Sequence, residues 1–112
     1  MQEETGLSRA AQLFKVLGNE SRLQLLHLLG EEPQTVSALV AATGLSQPLV
    51  SQHLRTLRQS GLVAGERRGH EVSYRLADVH VSHIIGDALE HVQEPPPADP
   101  AGAAPDERNP AS

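Results

Sequence analysis

No cysteine occurs in the 112 residues, which excludes disulfides and thiolate ligands; any metal bound here must be held by histidine nitrogen and carboxylate oxygen. Soft-metal chemistry goes with it. No apolar run is long enough to span a membrane, and the N-terminus lacks a basic-then-apolar signal pattern. A soluble, cytoplasmic protein with no membrane partner is expected. Large apolar side chains are missing from Pro95 onward, where PPPADPAGAAPDERNPAS holds six prolines in 18 residues. With nothing to bury, residues 95–112 are expected to be a disordered tail. Residues 1–6 are polar and expected to be loose, which leaves one domain over residues 7–94.

Positive charge is scarce overall, at a net −5, but it is unevenly placed. Residues 46–75 carry Arg55, Arg58, Arg67, Arg68 and Arg75 against Glu66 and Glu71, a balance of +3, whereas residues 76–112 sum to −6. Such asymmetry suits a module that meets phosphate with one segment and uses its carboxylates elsewhere. Solvated surface alone can produce it too.

Apolar periodicity predicts five helices and one hairpin. Leu7, Ala10, Ala11, Phe14 and Leu17 form a stripe ended by Gly18; Asn19 caps a second helix carrying Leu23, Leu26 and Leu29, ended by Gly30. Both are read as packing helices. A short helix from about Thr35 runs into Thr43-Gly44-Leu45, and Ser46 caps a longer one reaching Gln59, which is a helix-turn-helix pattern. Beyond Ser60-Gly61, the segments LVAGE and EVSYRL alternate as strands about Arg67-Arg68-Gly69-His70. The expected fold is therefore mainly α with a β-hairpin: a winged helix-turn-helix.

On the longer helix, Leu54 and Leu57 fall within about 40° of Val50, while Pro48, Ser51, Gln52, Arg55 and Gln59 face the other way. A merely solvated face would look similar, but the arginine-tipped hairpin that follows favours contact with nucleic acid. The candidate DNA contacts are Ser46, Gln47, Pro48, Ser51, Gln52 and Arg55, with Arg67, Arg68 and His70 of the hairpin. Arg55 and Arg58 are better placed for phosphate than for base edges. His53 lies between Leu49 and Leu57 and is read as a packing residue, as is His27 among the leucines of the second helix.

The last helix, read as Ala77 to Glu94, carries Asp78, His80, His91 and Glu94. Eleven residues separate the two histidines, about three turns or roughly 16 Å along the axis, too far for one ion. Yet eleven steps of about 100° return nearly to the starting angle, so both histidines share a stripe. An antiparallel second copy would set Asp78 and His80 against His91 and Glu94 of the partner subunit, giving a metal site completed by dimerisation. Val81, Ile85, Ala88, Leu89 and Val92 mark the side this helix buries. His83 and Asp87 lie near the donor stripe as alternative ligands, supports for ligands, or simple surface, the last being the plainest reading.

The run Leu17-Gly18-Asn19-Glu20-Ser21-Arg22-Leu23, then LSQPLVSQHLRTLRQSGLV, then the Arg67-Arg68-Gly69-His70 wing and Tyr74-Arg75-Leu76 resemble the bacterial ArsR/SmtB family of homodimeric winged-helix repressors. The likeness covers about residues 7–94. It implies that Asp78-x-His80 with His91-x-x-Glu94 matches the family's zinc-sensor pattern, with two interchain sites per dimer, and that the end of the recognition helix near Gly61 supports His91. The family's other common site uses cysteines where this chain reads Thr35-Val36-Ser37-Ala38-Leu39-Val40, so that site is expected to be absent. Two histidines and two carboxylates fill a tetrahedral zinc shell and leave no open position for a hydrolytic water; no enzymatic activity is expected. The expected partners are operator DNA and a second copy. Cobalt or nickel remain possible metals, and a family repressor with a non-metal inducer is the other alternative.

Overall fold

The computed structural model describes residues 4–95, so the expected proline-rich tail falls almost wholly outside the described residues. Helix α1 (Gly6–Leu17) starts at a reciprocal cap: Thr5 Oγ1 accepts the Ser8 N–H, and Ser8 Oγ accepts the Thr5 N–H, both at 3.0 Å. Order therefore begins inside the segment expected to be loose. Asn19 caps α2 (Glu20–Glu31) by accepting the Arg22 N–H at 3.0 Å. This helix runs through Gly30, its expected end. The break comes at Glu32, whose extended backbone (φ −168°, ψ 158°) is the conformation imposed on a residue preceding proline, here Pro33.

Helix α3 (Val36–Thr43) begins at Thr35, whose hydroxyl accepts the Ala38 N–H. Just before it, β1 (Gln34–Thr35) pairs antiparallel with β3 (Glu71–Leu76), which also pairs with β2 (Val63–Arg68); the sheet order is β1-β3-β2. The hairpin expected from sequence is thus the larger part of a three-stranded sheet, and two residues are too few for β1 to show as alternation. Helix α4 (Gln47–Gln59) follows the Gly44 turn, and α5 (Val79–Gln93) closes the described fold. Asp78 and Glu94, expected inside α5, are its two caps.

Leu25 and Leu26 of α2, Leu39 of α3, Val50, Leu54 and Leu57 of α4 and Val81 of α5 are fully buried and form one core with Leu29, Leu62, Val63 and Ile85. Apolar burial of this kind, at about 1.5–3 kcal/mol per large side chain, fixes α4 and α5 to the common support α2. Helix α1 differs. Only Leu17 of its stripe is buried, while Leu7 is 85% and Phe14 56% exposed, because the stripe has no cover within one chain. Between α1, α2 and α5 lies an open groove of about 530 Å³ lined by Phe14, Leu23, Ile84, Ala88, Leu89 and Val92. His27, expected to pack in the core, is exposed on its rim.

Candidate functional site

The α3–turn–α4 unit is built by local chemistry. Gly44 closes α3 in the left-handed conformation, at φ 76°, and its N–H donates to the Val40 carbonyl. Thr43 Oγ1 donates to the Leu39 carbonyl at 2.8 Å and accepts the Leu45 N–H at 3.1 Å, which stiffens the turn. Ser46 Oγ accepts the Leu49 N–H at 3.3 Å, and Pro48 sits in the first turn of α4, where its missing N–H costs no helical bond. Together these pin the start of α4.

Val50, His53, Leu54 and Leu57 turn inward from α4, whereas Gln47, Pro48, Gln52 and Arg55 are exposed and Ser51 is half-buried. The candidate base-reading side chains therefore share one open face, beginning at a helix N-terminus whose partial positive charge suits phosphate. His53 is 9% exposed, as a packing residue should be. Burial, and secondarily the positive charge of Arg22, hold its imidazole below the usual histidine range. Arg22 is itself held in place, donating from Nε to the Val16 carbonyl at 2.8 Å.

The wing is the β2–β3 hairpin, in register from Val63↔Leu76 to Arg68↔Glu71. Gly69, at φ 65°, makes the reversal, and Arg67, Arg68 and His70 are exposed around it. Arg68 Nη2 lies 3.5 Å from Glu66 Oε1, an exposed ion pair too weak to withhold the arginine from a phosphate.

The four candidate metal ligands occupy the two ends of α5. Asp78 is half-buried and its Oδ1 accepts the His80 N–H at 2.9 Å, leaving Oδ2 as a free donor atom. His80, His91 and Glu94 are exposed. One chain does not bring the four together: among the described residues, no three histidine, aspartate or glutamate side chains converge as a metal centre requires. The support for His91 that the resemblance places near Gly61 does not form within one chain among the described residues.

The family model described as the arsR family of bacterial regulatory proteins matches residues 19–64, from the cap of α2 into the wing. The arsenical resistance operon repressor of Escherichia coli K12 is 45% identical over 88 residues, covering 74% of this chain and 74% of its own. The chain belongs to the arsR family. Similar to this arsR-family protein is the HTH-type transcriptional repressor SmtB of Mycobacterium tuberculosis H37Rv, 46% identical over 88 residues, with 79% of this chain and 65% of that protein covered. The chain thus spans just under two thirds of that relative's length. A Mycobacterium bovis fragment described as a homodimeric winged helix-turn-helix DNA-binding domain superposes with a TM-score of 0.70 at 30% identity, covering 84% of this chain and 92% of that one. The fold is the winged helix-turn-helix expected from sequence.

Proposed function

We propose that this protein is a dimeric, metal-responsive transcriptional repressor, not an enzyme, acting in the cytoplasm on operator DNA. The observation that carries the reading is the placement of four nitrogen and oxygen donors at opposite ends of α5, where a second, antiparallel copy can complete a set. The apolar groove beside α5, with exposed Leu7 and Phe14 of α1, supplies surface for that second copy to cover. The similarity to SmtB, a protein named as a repressor, supports the same reading.

In the metal-free dimer, Ser46, Gln47, Pro48, Ser51, Gln52 and Arg55 enter a major groove while Arg67, Arg68 and His70 hold the backbone. Two-fold symmetry sets the two recognition helices against grooves about 34 Å apart. Asp78 and His80 of one subunit with His91 and Glu94 of the partner subunit fit zinc: two nitrogens, two oxygens, and two negative charges against a divalent cation. When bound, the ion supplies a cross-link between subunits. Each chain then answers through its own backbone. Ala77 donates to the Leu62 carbonyl at 2.9 Å and Leu62 donates to the Leu57 carbonyl at 2.9 Å, so the start of α5 is tied to the end of α4. A shift at Asp78 re-aims the recognition helix, and the operator is released.

Fluorescence anisotropy of a labelled candidate operator tests this. Zinc should weaken DNA binding by about tenfold or more, the effect of a coupling of roughly 1–3 kcal/mol, and His91→Ala should bind DNA without responding. A retained zinc response in that variant would overturn the ligand assignment. Linkage adds a stricter demand, that operator DNA weaken zinc affinity by the same factor. Absorption of the cobalt-substituted protein separates tetrahedral zinc-like coordination from the six-coordinate geometry of a nickel or cobalt sensor.

A further inference from the structure

Between the two ends of α5 lie two more donors, His83 and Asp87, four residues apart and both exposed. With His80 as zero on the helical wheel, His91 falls at about +20°, Asp87 at −20°, Glu94 at −40° and His83 at −60°. All five share one arc. Val81 and Ile85, the buried residues of α5, face away from it.

We infer that the dimer carries a third divalent-cation site, on its two-fold axis, made by His83 and Asp87 of both subunits. The inference rests on the antiparallel pairing of α5 proposed above, and the register of that pairing is what selects these residues. The midpoint of His80 and His91 falls between Ile85 and Gly86, and the midpoint of His83 and Asp87 is Ile85. The two midpoints differ by half a residue, less than about 1 Å along the axis. A pairing that sets His80 level with the partner subunit's His91 therefore also sets His83 nearly level with the partner subunit's Asp87. Each mixed pair is repeated by the dyad, so four donors meet where the helices cross.

Charge argues for a cation there. In this register the two Asp87 positions are offset by only roughly 4–5 Å along the axis, so both carboxylates face the same stretch of the interface, where like charges repel unless a proton or cation compensates them. Two imidazole nitrogens and two carboxylate oxygens form the same donor set as each terminal site, suited to zinc or cobalt. Lying on the axis, the site counts once per dimer.

Metal content and visible absorption of the full-length dimer, after equilibrium dialysis against cobalt, test the proposal, with size-exclusion chromatography run on every variant. The wild type should hold three ions per dimer; His83→Ala, and the shape-preserving Asp87→Asn, should hold two and stay dimeric. His91→Ala should keep the axial ion alone. Two ions in the wild-type dimer, or unchanged stoichiometry in both His83→Ala and Asp87→Asn, would overturn the axial site and leave the terminal sites standing. If His91→Ala instead keeps all its metal while His83→Ala loses an ion, the terminal assignment fails and the axial one survives.

Discussion

Substituting alanine for Gly44 and, separately, for Gly86 isolates the backbone's part in the helix-turn-helix. A Cβ built at either position meets nothing within 4 Å, so neither change creates a clash. They differ in handedness: Gly44 sits at φ 76° in the turn before α4, whereas Gly86 lies within the right-handed helix α5. An L-residue in the left-handed region costs about 1–2 kcal/mol, partly offset by the roughly 0.4–1 kcal/mol that alanine gains through a less flexible unfolded chain. Gly44→Ala should therefore lose about 1 kcal/mol. Gly86→Ala should gain about 0.8–1 kcal/mol, the ordinary difference between the two residues in a helix interior. Urea unfolding followed by circular dichroism, at one protein concentration because the proposed dimerisation would add to stability, reads both. With a slope of about 1–3 kcal/mol per molar urea, the midpoints should move in opposite directions by roughly 0.3–1 M. Shifts of the same sign, with wild type and both variants in the same oligomeric state by size-exclusion chromatography, would refute the argument, since within one chain the open surroundings leave only backbone conformation to tell the sites apart.

Arg68→Ala should weaken binding to all DNA sequences alike and flatten the log–log salt dependence by about 0.9 for each phosphate that the arginine neutralises; an unchanged slope in anisotropy titrations would remove Arg68 from the interface. Gln52→Ala should cost about 1–3 kcal/mol on the operator and almost nothing on random DNA, and equal losses on both would assign Gln52 to the backbone. Leu54→Ala, at a fully buried position of α4, should lose about 2–5 kcal/mol of stability in chemical unfolding, and a loss under about 1 kcal/mol would contradict the packing. For His53 the folded pKa lies below the unfolded value of about 6.5, so the unfolded chain takes up the extra proton. The contribution of neutral His53 is whole above about pH 6.5 and is lost as pH falls from there to the folded pKa, with a limiting slope of about 1.4 kcal/mol per pH unit. His53→Leu should flatten the stability profile as pH falls below about 6.5, and an unaltered profile would mean that His53 does not titrate on unfolding.

The elements legible in the sequence are those defined by local chemistry. Asn19, Thr35 and Ser46 mark helix starts because their side chains can satisfy free backbone N–H groups, and each does so here. The outward face of α4 follows from period alone. What escaped depended on distant neighbours. Strand β1 exists because β3 offers Tyr74 and Ser73 as partners for Gln34 and Thr35, a fact invisible in two residues. At Gly65 a Cβ would lie 3.1 Å from Tyr74 Cε2 and 3.2 Å from Val72 Cγ1; the glycine makes room for the tyrosine opposite. The exposure of His27 and of the α1 stripe could not be read from periodicity, which says that a face is apolar but not what covers it. The donors of α5 are the reverse case. Their distance apart is legible in the sequence, and the helix preserves it.

That distance acquires mechanical meaning from the short route between α5 and α4. Leu62 stands between them with its N–H bonded to Leu57 and its carbonyl bonded to Ala77, the residue before Asp78. Leu57, Leu62 and Val63 are all buried, so the joint lies in packed surroundings that shift together more readily than they deform. Displacement of the Asp78 end of α5 is therefore passed to the C-terminal end of α4 through two backbone hydrogen bonds. The tip of the wing at Arg68 lies at the far end of the six-residue strand β2, reached from α5 along the β2–β3 ladder and, among the described residues, not by a direct backbone hydrogen bond. A response starting at α5 should accordingly disturb the aim of Gln47, Ser51 and Gln52 before it disturbs the phosphate grip of Arg67 and Arg68. Under the proposed mechanism, metal loading should therefore lower the preference for the operator more than the general attraction to DNA.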